Sequence, residues 1–524
     1  MHLDRDACYR ALLTRDARFD GQFFTAVRTT GIYCRPICPA RTPKLENIVF
    51  MPSAAAAQAA GFRPCLRCRP ETSPDLAAWH GTASTVSRAM ALIAAGALNE
   101  VAVDALAFRL GIGERQLRRL FHRHLGASPT AIAQTRRVLF AKQLITDTTL
   151  PMTEVALAAG FGSVRRFNDT FQTLYGRPPR SLRRAGGAEA SASAVSLTLA
   201  YKPPYDWPGM IGFLAARAIR GVESVAAGAY SRTIALGGAV GTITIRPAER
   251  PDRRHPGALV AIIRFPVLTA LPVIVERIRR LFDLGADPAV IGTHLAADPA
   301  MARLVAARPG LRVPGAWDGF ELAVRGILGQ QITVGAATAL AGKLVAAFGT
   351  ALPATDDPAL AGLSHVFPSP ERVAGAGDLG AILGMPGRRA AAITALAQAA
   401  SADPLLFAPG RGLDEAIARL RALPGIGEWT AQYIAMRGLR EPDAFPAADI
   451  GLMPAMATPE GRPTPAELLG HAAAWRPWRA YAALHLWAAD PATPRATQAQ
   501  AKETPHETVP RTHRLADRHD SAGL

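Results

Sequence analysis

The chain is predicted to be multidomain and mainly α-helical, with a small α/β unit at its start and an α+β unit near its middle. Three features predict this. A length of 524 residues is enough for three to four domains. Residues 103–171 hold two copies of one helical pattern, offset by 49 residues. Strand-like alternation runs through residues 195–265, and helical periodicity broken by Pro and Gly follows up to about residue 490. At 49% hydrophobic residues, the composition supports sizeable cores. A net charge of +17 and a pI near 10.5 point to a polyanionic partner. The excess is uneven: 26 Lys and Arg face 13 Asp and Glu in residues 1–185, whereas 33 face 29 in residues 186–524. The basic charge is therefore concentrated in the first third.

The N-terminal stretch Met1-His-Leu-Asp-Arg-Asp6 has no apolar core of a signal peptide, and no apolar run is long enough to span a bilayer. Five cysteines, all before residue 70, do not make a disulfide framework. A reducing, cytoplasmic location is expected, so clustered cysteines suggest metal. Cys34-x3-Cys38 and Cys65-x2-Cys68, with 26 residues between the pairs, can close four thiolates around zinc. Cys8 reads as a free thiol without a role.

The surrounding strings, Phe24-Thr-Ala-Val-Arg-Thr-Thr-Gly-Ile-Tyr-Cys34 and Ala59-Ala-Gly-Phe-Arg-Pro-Cys65-Leu-Arg-Cys68, resemble the N-terminal domain of the Ada alkylation-response family over residues 1–75. The resemblance implies one Zn²⁺ on Cys34, Cys38, Cys65 and Cys68. It also implies that Cys34, the first of the four, accepts the methyl group of a DNA methyl phosphotriester. Zinc-held thiolate is the right nucleophile for such a transfer. Arg28, Arg35, Arg41, Lys44, Arg63, Arg67 and Arg69 are candidates to grip neighbouring phosphates.

In residues 84–185, Ala107 and Gly111 recur as Ala156 and Gly160. The small residue lets two helices cross closely and the glycine makes the turn. Each second helix carries polar residues suited to a major groove: Arg115, Gln116, Arg118 and Arg119, then Ser163, Arg165, Arg166 and Asn168. A helix over 129–145 links the two. With Gly126-Ala-Ser-Pro129 and Tyr175-Gly-Arg-Pro-Pro179, the segment resembles the AraC-type double helix-turn-helix DNA-binding domain. Behind an Ada-type zinc domain it implies a transcriptional activator, with promoter DNA and RNA polymerase as partners.

Residues 186–194 are rich in Ala, Gly and Ser and read as a linker. Val195–Tyr201 and three later segments near 231–236, 242–246 and 259–265 read as strands, and Met210–Ala218 as a helix. Lys202-Pro-Pro-Tyr-Asp-Trp-Pro-Gly-Met-Ile-Gly-Phe213 resembles the N-terminal domain of the AlkA family over 195–312, which implies that Phe213 helps line a base pocket.

Leu423-Pro-Gly-Ile-Gly427 cannot continue the helix before it, and Glu428 begins another. Glycines without Cβ let phosphate approach backbone N–H groups at the second helix start. Asp449 lies 20 residues beyond Trp429. This string resembles the helix-hairpin-helix motif of DNA glycosylases, in the AlkA-like branch, within an all-α body at 313–490. The resemblance implies DNA contact through Leu423, Pro424, Gly425, Ile426 and Gly427. It implies a catalytic Asp449 and a base pocket of Phe213, Gln330, Trp429, Tyr433 and Trp487. It further implies a monovalent cation near the carbonyls of Leu423 and Gly425. Ile450 departs from the tyrosine common in that branch. No lysine occupies a hairpin or pocket position, so a monofunctional hydrolase is expected rather than a Schiff-base lyase. Residues 491–524 read as a disordered tail.

The expected architecture is a zinc-bound α/β domain, a helical double helix-turn-helix domain, an AlkA-type α+β domain and an all-α helix-hairpin-helix glycosylase domain. The expected function is removal of alkylated bases of the 3-methyladenine and 7-methylguanine type from duplex DNA, joined to a methylation-switched activator. No membrane partner is expected, and a bacterial, nucleoid-associated place in the cytoplasm is. The rival is a transcription regulator whose glycosylase-like half binds DNA without catalysis; Trp429, Tyr433, Trp487 and Asp449, all in place, favour the enzyme.

Overall fold

The computed structural model describes residues 4–74, 84–183, 194–249, 256–353, 357, 360–408, 412–457, 459 and 461–489. The expected tail at 491–524, and the expected linker apart from Ala194, lie outside the described residues. The protein is multidomain and mainly α-helical, with an α/β unit first and an α+β unit in the middle.

The first unit opens with α1 (Arg5–Thr14), then the hairpin β1 (Phe24–Val27) and β2 (Ile32–Cys34), β3 (Ile48–Met51), α2 (Ala54–Ala59) and β4 (Arg63–Pro64). The sheet order is β3-β1-β2-β4, with β4 parallel to β2. That parallel pairing sets Cys65 and Cys68 beside the end of β2, where Cys34 lies.

A helical unit follows: α3 (Ser84–Ala94), α4 (Ala97–Glu100), α5 (Val103–Arg109), α6 (Glu114–Leu125), α7 (Pro129–Asp147), α8 (Met152–Ala158) and α9 (Val164–Tyr175). The linking helix is α7, two residues longer than its pattern suggests and capped by Ser128. Ala107 and Ala156 are buried where α5 meets α6 and α8 meets α9. Gly111 and Gly160 turn the chain at φ +72° and +82°, a region costly for a residue with Cβ.

The α+β unit holds β5 (Val195–Ala200), α10 (Trp207–Ala215), β6 (Glu223–Ala226), β7 (Ala229–Leu236), β8 (Ala239–Pro247), β9 (Ala258–Arg264) and α11 (Leu271–Leu281). Its sheet runs β5-β9-β8-β7-β6, all neighbours antiparallel. Helix α10 starts three residues earlier than expected, because Asp206 accepts the Gly209 N–H as N-cap and Pro208 suits the first turn. Strand β6 has no counterpart among the expected elements; it is short and half-polar.

The remaining body is helical: α12 (Pro288–Leu295), α13 (Pro299–Ala307), α14 (Gly319–Leu328), α15 (Val334–Phe348), α16 (Pro370–Ala374), α17 (Leu379–Leu383), α18 (Gly387–Ala402), α19 (Leu413–Arg421), α20 (Glu428–Ile434), α21 (Pro465–His471) and α22 (Arg479–Ala489). A two-stranded ribbon of β10 (Thr350–Ala351) and β11 (His365–Val366) interrupts it. The helix that begins at Glu428 stays α-helical only to Ile434, then widens into one π-turn over Ala435–Leu439. One apolar core spans this body, reaching from Ile219 and Val222 to Leu486.

Candidate functional site

Around Trp429 the sequence places side chains at helical spacing, and the structure gathers others to them. Trp429 and Tyr433, one turn apart on α20, stack with ring centroids 5.2 Å apart and planes 10° apart. The Trp429 indole Nε1–H donates to Asp449 Oδ2 at 2.7 Å. The other carboxylate oxygen accepts the Gly451 N–H at 2.8 Å. Two donors thus fix the carboxylate at one end of the aromatic row. Gly451 lies against both Asp449 and Trp487, so Trp487 joins this end; an added Cβ at Gly451 would sit 3.4 Å from the indole. Ile450 points outward and is 82% exposed.

Phe213 closes the other end, with two cations over its ring: Arg217 Cζ at 3.8 Å from the centroid and Arg437 Cζ at 4.6 Å. Arg437 is also over Tyr433, at 5.1 Å, and donates to its phenol oxygen. Burial opposes ionisation of the Tyr433 phenol, but Arg437 and Arg217 outweigh it and lower its pKa. Neither arginine was among the candidates read from sequence. The available signal is spacing: Arg217 is four residues past Phe213 and Arg437 four past Tyr433, about one helical turn, although Arg217 lies in the turn just beyond α10 and Arg437 in the π-turn that follows α20. A lone arginine otherwise reads as solvated surface.

Gln330 lies at the turn between α14 and α15. Its amide Nε2 donates to Gly425 O at 2.9 Å and Thr430 Oγ1 at 3.1 Å. It therefore braces the hairpin against α20, with its oxygen left for other partners. In the hairpin, Pro424, Gly425 and Gly427 are exposed and Leu423 is partly buried. Ile426 is in the core at 4% exposure, so it meets a ligand only through its backbone. Gly425 has φ +78° and presses on Ala392 of α18, so a side chain there is excluded twice. Nothing crowds the Cβ direction of Gly427, which leaves the start of α20 open.

In the first unit, the sulfurs of Cys34, Cys38, Cys65 and Cys68 all lie within 4.8 Å of one another. A tetrahedral Zn²⁺ with bonds of about 2.3 Å needs sulfurs about 3.8 Å apart, so the set fits. Backbone N–H groups of Arg35 and Arg67 donate to Cys68 and Cys65 sulfurs, each at 3.3 Å. Contacts with Cys38 and Cys65 raise the Cys34 thiol pKa, burial raises that of Cys68, and contacts with Cys34, Cys38 and Cys68 pull that of Cys65 down. Cys34 is the one partly exposed member; the other three are buried. Cys8 is buried and its pKa is raised to about 11, first by that burial and then by Asp4.

Two phosphate-gripping candidates are excluded by burial. Arg35 is fully buried and spent on Asp20, Thr72 and the Cys68 carbonyl. Arg69 is 8% exposed and bound to Glu71, Thr146 and Asp147. Both lie beside zinc-site cysteines because they hold that loop in place. Arg28, Arg41, Lys44 and Arg67 are exposed, and Arg63 partly so.

On the helical unit, α6 buries Leu117, Phe121 and Leu125 and exposes Arg115, Gln116, Arg118 and Arg119. Arg118 pairs with Glu114 at 2.6 Å. Helix α9 buries Phe167, Phe171 and Tyr175 and exposes Arg165, Arg166 and Asn168. Ser163 is exposed too, but its hydroxyl accepts the Arg166 N–H at 3.1 Å as N-cap. Both outer faces are free to enter a groove.

Three family models match in chain order: the metal binding domain of Ada over residues 7–71, a helix-turn-helix domain over 106–185 and the AlkA N-terminal domain over 196–318. The "Probable bifunctional transcriptional activator/DNA repair enzyme AlkA" of Mycobacterium tuberculosis is 45% identical over 494 residues, 93% of this chain and 97% of that protein. DNA-3-methyladenine glycosylase 2 of Escherichia coli is 39% identical over 55% of this chain and 96% of its own length. The bifunctional transcriptional activator/DNA repair enzyme AdaA of Bacillus subtilis is 30% identical over 35% of this chain and 85% of its own. The two shorter relatives divide the features between them, and the long one carries them together: the chain belongs to the family of bifunctional transcriptional activators and DNA repair enzymes that join an Ada-type metal-binding unit to an AlkA-type glycosylase.

Proposed function

We propose that the chain is a monofunctional DNA glycosylase for alkylated bases fused to a zinc-thiolate methyl acceptor that switches transcription. The observation that carries the first half is the Asp449 carboxylate, held by Trp429 and Gly451 at one end of the stacked Trp429–Tyr433 pair. Alkylation at N3 or N7 makes a purine a cation and weakens its glycosidic bond. The enzyme has only to flip the base, stack it on Trp429, Tyr433 or Trp487, and stabilise the sugar as positive charge moves onto it. Asp449 does the last, directly or by activating water. With no lysine at the hairpin or pocket, water rather than an amine takes the sugar carbon. The open hairpin at Leu423–Gly427 receives the DNA backbone. A monovalent cation held there would share the Gly425 carbonyl with the Gln330 amide.

Cys34 is the methyl acceptor of the second half, supported by its being the accessible sulfur of the four. Bound zinc would keep that sulfur a thiolate at neutral pH. Arg115, Gln116, Arg118 and Arg119 on α6, and Ser163, Arg165, Arg166 and Asn168 at α9, read promoter DNA, with RNA polymerase recruited as partner. The units divide at 1–75, 84–185, 195–312 and 313–490, and the protein works at the nucleoid. No described helix is long and apolar enough to cross a membrane.

The deciding experiment is release of 3-methyladenine and 7-methylguanine from methylated duplex DNA. Release by the wild type that falls roughly 100-fold in Asp449→Asn, with DNA binding kept, supports the enzyme. No release by folded wild type would leave a regulator with a non-catalytic DNA-binding half.

A further inference from the structure

The helix that carries Trp429 and Tyr433 does not end as an ordinary helix. Past Ile434 it continues as the buried π-turn over Ala435–Leu439. Such single turns are rare, and many of them lie at functional sites. This one aims Arg437, whose guanidinium lies over Tyr433 and Phe213 and donates to the Tyr433 hydroxyl. The turn is held from outside. Gly438 O accepts from Arg280 of α11 at 2.6 Å. Ala435 O accepts the N–H groups of Arg440 and Glu441, the latter at 3.0 Å, and this closes the turn.

Glu441 is where the helix-turn-helix unit reaches the glycosylase body. Its side chain is 12% exposed, and among the described residues the cation paired with it is Arg88 of α3, 3.8 Å away. Burial raises the Glu441 pKa, Arg88 opposes that rise and Asp443 adds to it. Arg88 is itself 9% exposed, and it donates to Thr85 Oγ1 within α3 at 3.2 Å. Helix α3 also packs on α11, the helix that supplies Arg280. A carboxylate this buried keeps its charge through its cation. Without Arg88 it takes up a proton or turns out to water.

We propose that Arg88 is a positioning residue for the base pocket: through Glu441 it holds the π-turn that sets Arg437 against Tyr433, so the helix-turn-helix unit tunes base release by the glycosylase body. This rests on the glycosylase reading above and adds to it a residue from the other half of the chain. The contact acts on the aromatic wall and not on the hairpin, so the release step rather than DNA binding carries the effect.

The test uses the full chain and two readouts. One is single-turnover release of 3-methyladenine from methylated duplex DNA, with Kd for that DNA measured separately. The other is ultraviolet titration of the Tyr433 phenol, isolated by difference from Tyr433→Phe. Burial raises the pKa of that phenol, but Arg437, Arg217 and Arg325 face it and bring it below the ordinary tyrosine value. In Arg88→Met the release rate should fall roughly threefold to tenfold, the range for coupling carried through packed side chains. Kd should stay unchanged, and the phenol should titrate at higher pH as Arg437 draws away. Arg88→Lys should recover part of both changes. Glu441→Gln should repeat the loss, and it carries the test if Arg88→Met does not fold. Folded variants whose phenol titrates as in wild type overturn the proposal, whether or not the rate falls, because the pair then only joins the halves. A shifted phenol with an unchanged rate overturns it too. A wild type that releases no base removes the glycosylase reading, and the phenol titration alone then decides whether Arg88 sets Arg437.

Discussion

Trp429→Phe separates two jobs that the indole performs. The substitution keeps an aromatic face against Tyr433 and deletes the Nε1–H that donates to Asp449 Oδ2 at 2.7 Å. A hydrogen bond to an ionised partner contributes about 1.5–3 kcal/mol. The Gly451 N–H still holds the other oxygen, so the carboxylate is not released outright; it gains freedom to rotate away from the sugar. If the full value is used to place that charge in the transition state, kcat falls by roughly 10- to 100-fold, at 1.36 kcal/mol per decade. The assay is single-turnover base release from methylated duplex DNA, with substrate binding measured separately. Because the lost contact acts on the carboxylate and not on DNA, Kd should change little. A kcat within twofold of wild type would refute the positioning role of Trp429. A large rise in Kd with unchanged kcat would assign the indole to stacking alone.

Other outcomes follow from the same structure. Cys34→Ser should abolish methyl uptake from labelled phosphotriester DNA and the rise in promoter affinity that follows it; label appearing on Cys38, Cys65 or Cys68 would refute the assignment. His485 is buried, and that burial first, then Arg308, holds its pKa down to about 4 against an ordinary value of 6.5. The unfolded chain therefore takes up a proton below pH 6.5 that the native state refuses until about pH 4, so stability falls with pH across that window by about 3 kcal/mol. Melting curves at pH 7.5 and 5 should show about 2 kcal/mol of this loss in the wild type and less in His485→Gln. Residues 195–490 alone should still release methylated bases, since every pocket residue lies beyond 200, but with weaker salt dependence of DNA binding and a lower melting temperature. A folded but inactive fragment would mean that the two halves share one active site.

What could be read from the sequence was local or spaced by a motif. The four cysteines, the repeated helix-turn-helix and the hairpin with Asp449 each lie within a short window, where periodicity and glycine positions determine geometry. What could not be read depends on partners distant in sequence. Arg35 and Arg69 look like phosphate ligands until Asp20, Thr72, Glu71 and Asp147 are folded against them. Gln330 is expected to line the pocket, and only the fold shows that its amide also meets the hairpin nearly a hundred residues away. Arg217 has a legible spacing to Phe213, yet only the assembled wall shows its guanidinium lying over that ring, 3.8 Å from the centroid. The early start of α10 is the exception, since Asp206 and Pro208 already announce it.

The junction of the two halves was also illegible, because it depends on one helix meeting three units. Strand β5 is an edge of the five-stranded sheet, paired only with β9. An edge leaves carbonyls that need a partner or water. Helix α7 covers it: Gln143, 4% exposed, donates to the Thr198 carbonyl at 2.8 Å. One residue earlier on α7, Lys142 pairs with Glu71 of the first unit at 2.8 Å, with side chains 2% and 0% exposed. Asp147, at the end of the same helix, pairs with Arg69 at 2.7 Å. The apolar core is continuous here as well, running from Val138 and Phe171 to Leu197, Ile263 and Trp317. Breaking a buried ion pair by losing one partner costs about 3–5 kcal/mol. If α7 moved towards the sheet it would break the buried Lys142–Glu71 pair and leave Glu71 to Arg69 alone, and if it moved towards the cysteine unit it would strand the Thr198 carbonyl. The helix that links the two helix-turn-helix motifs thus works as a strut rather than a hinge, holding the four-cysteine cluster and the five-stranded sheet at a fixed separation.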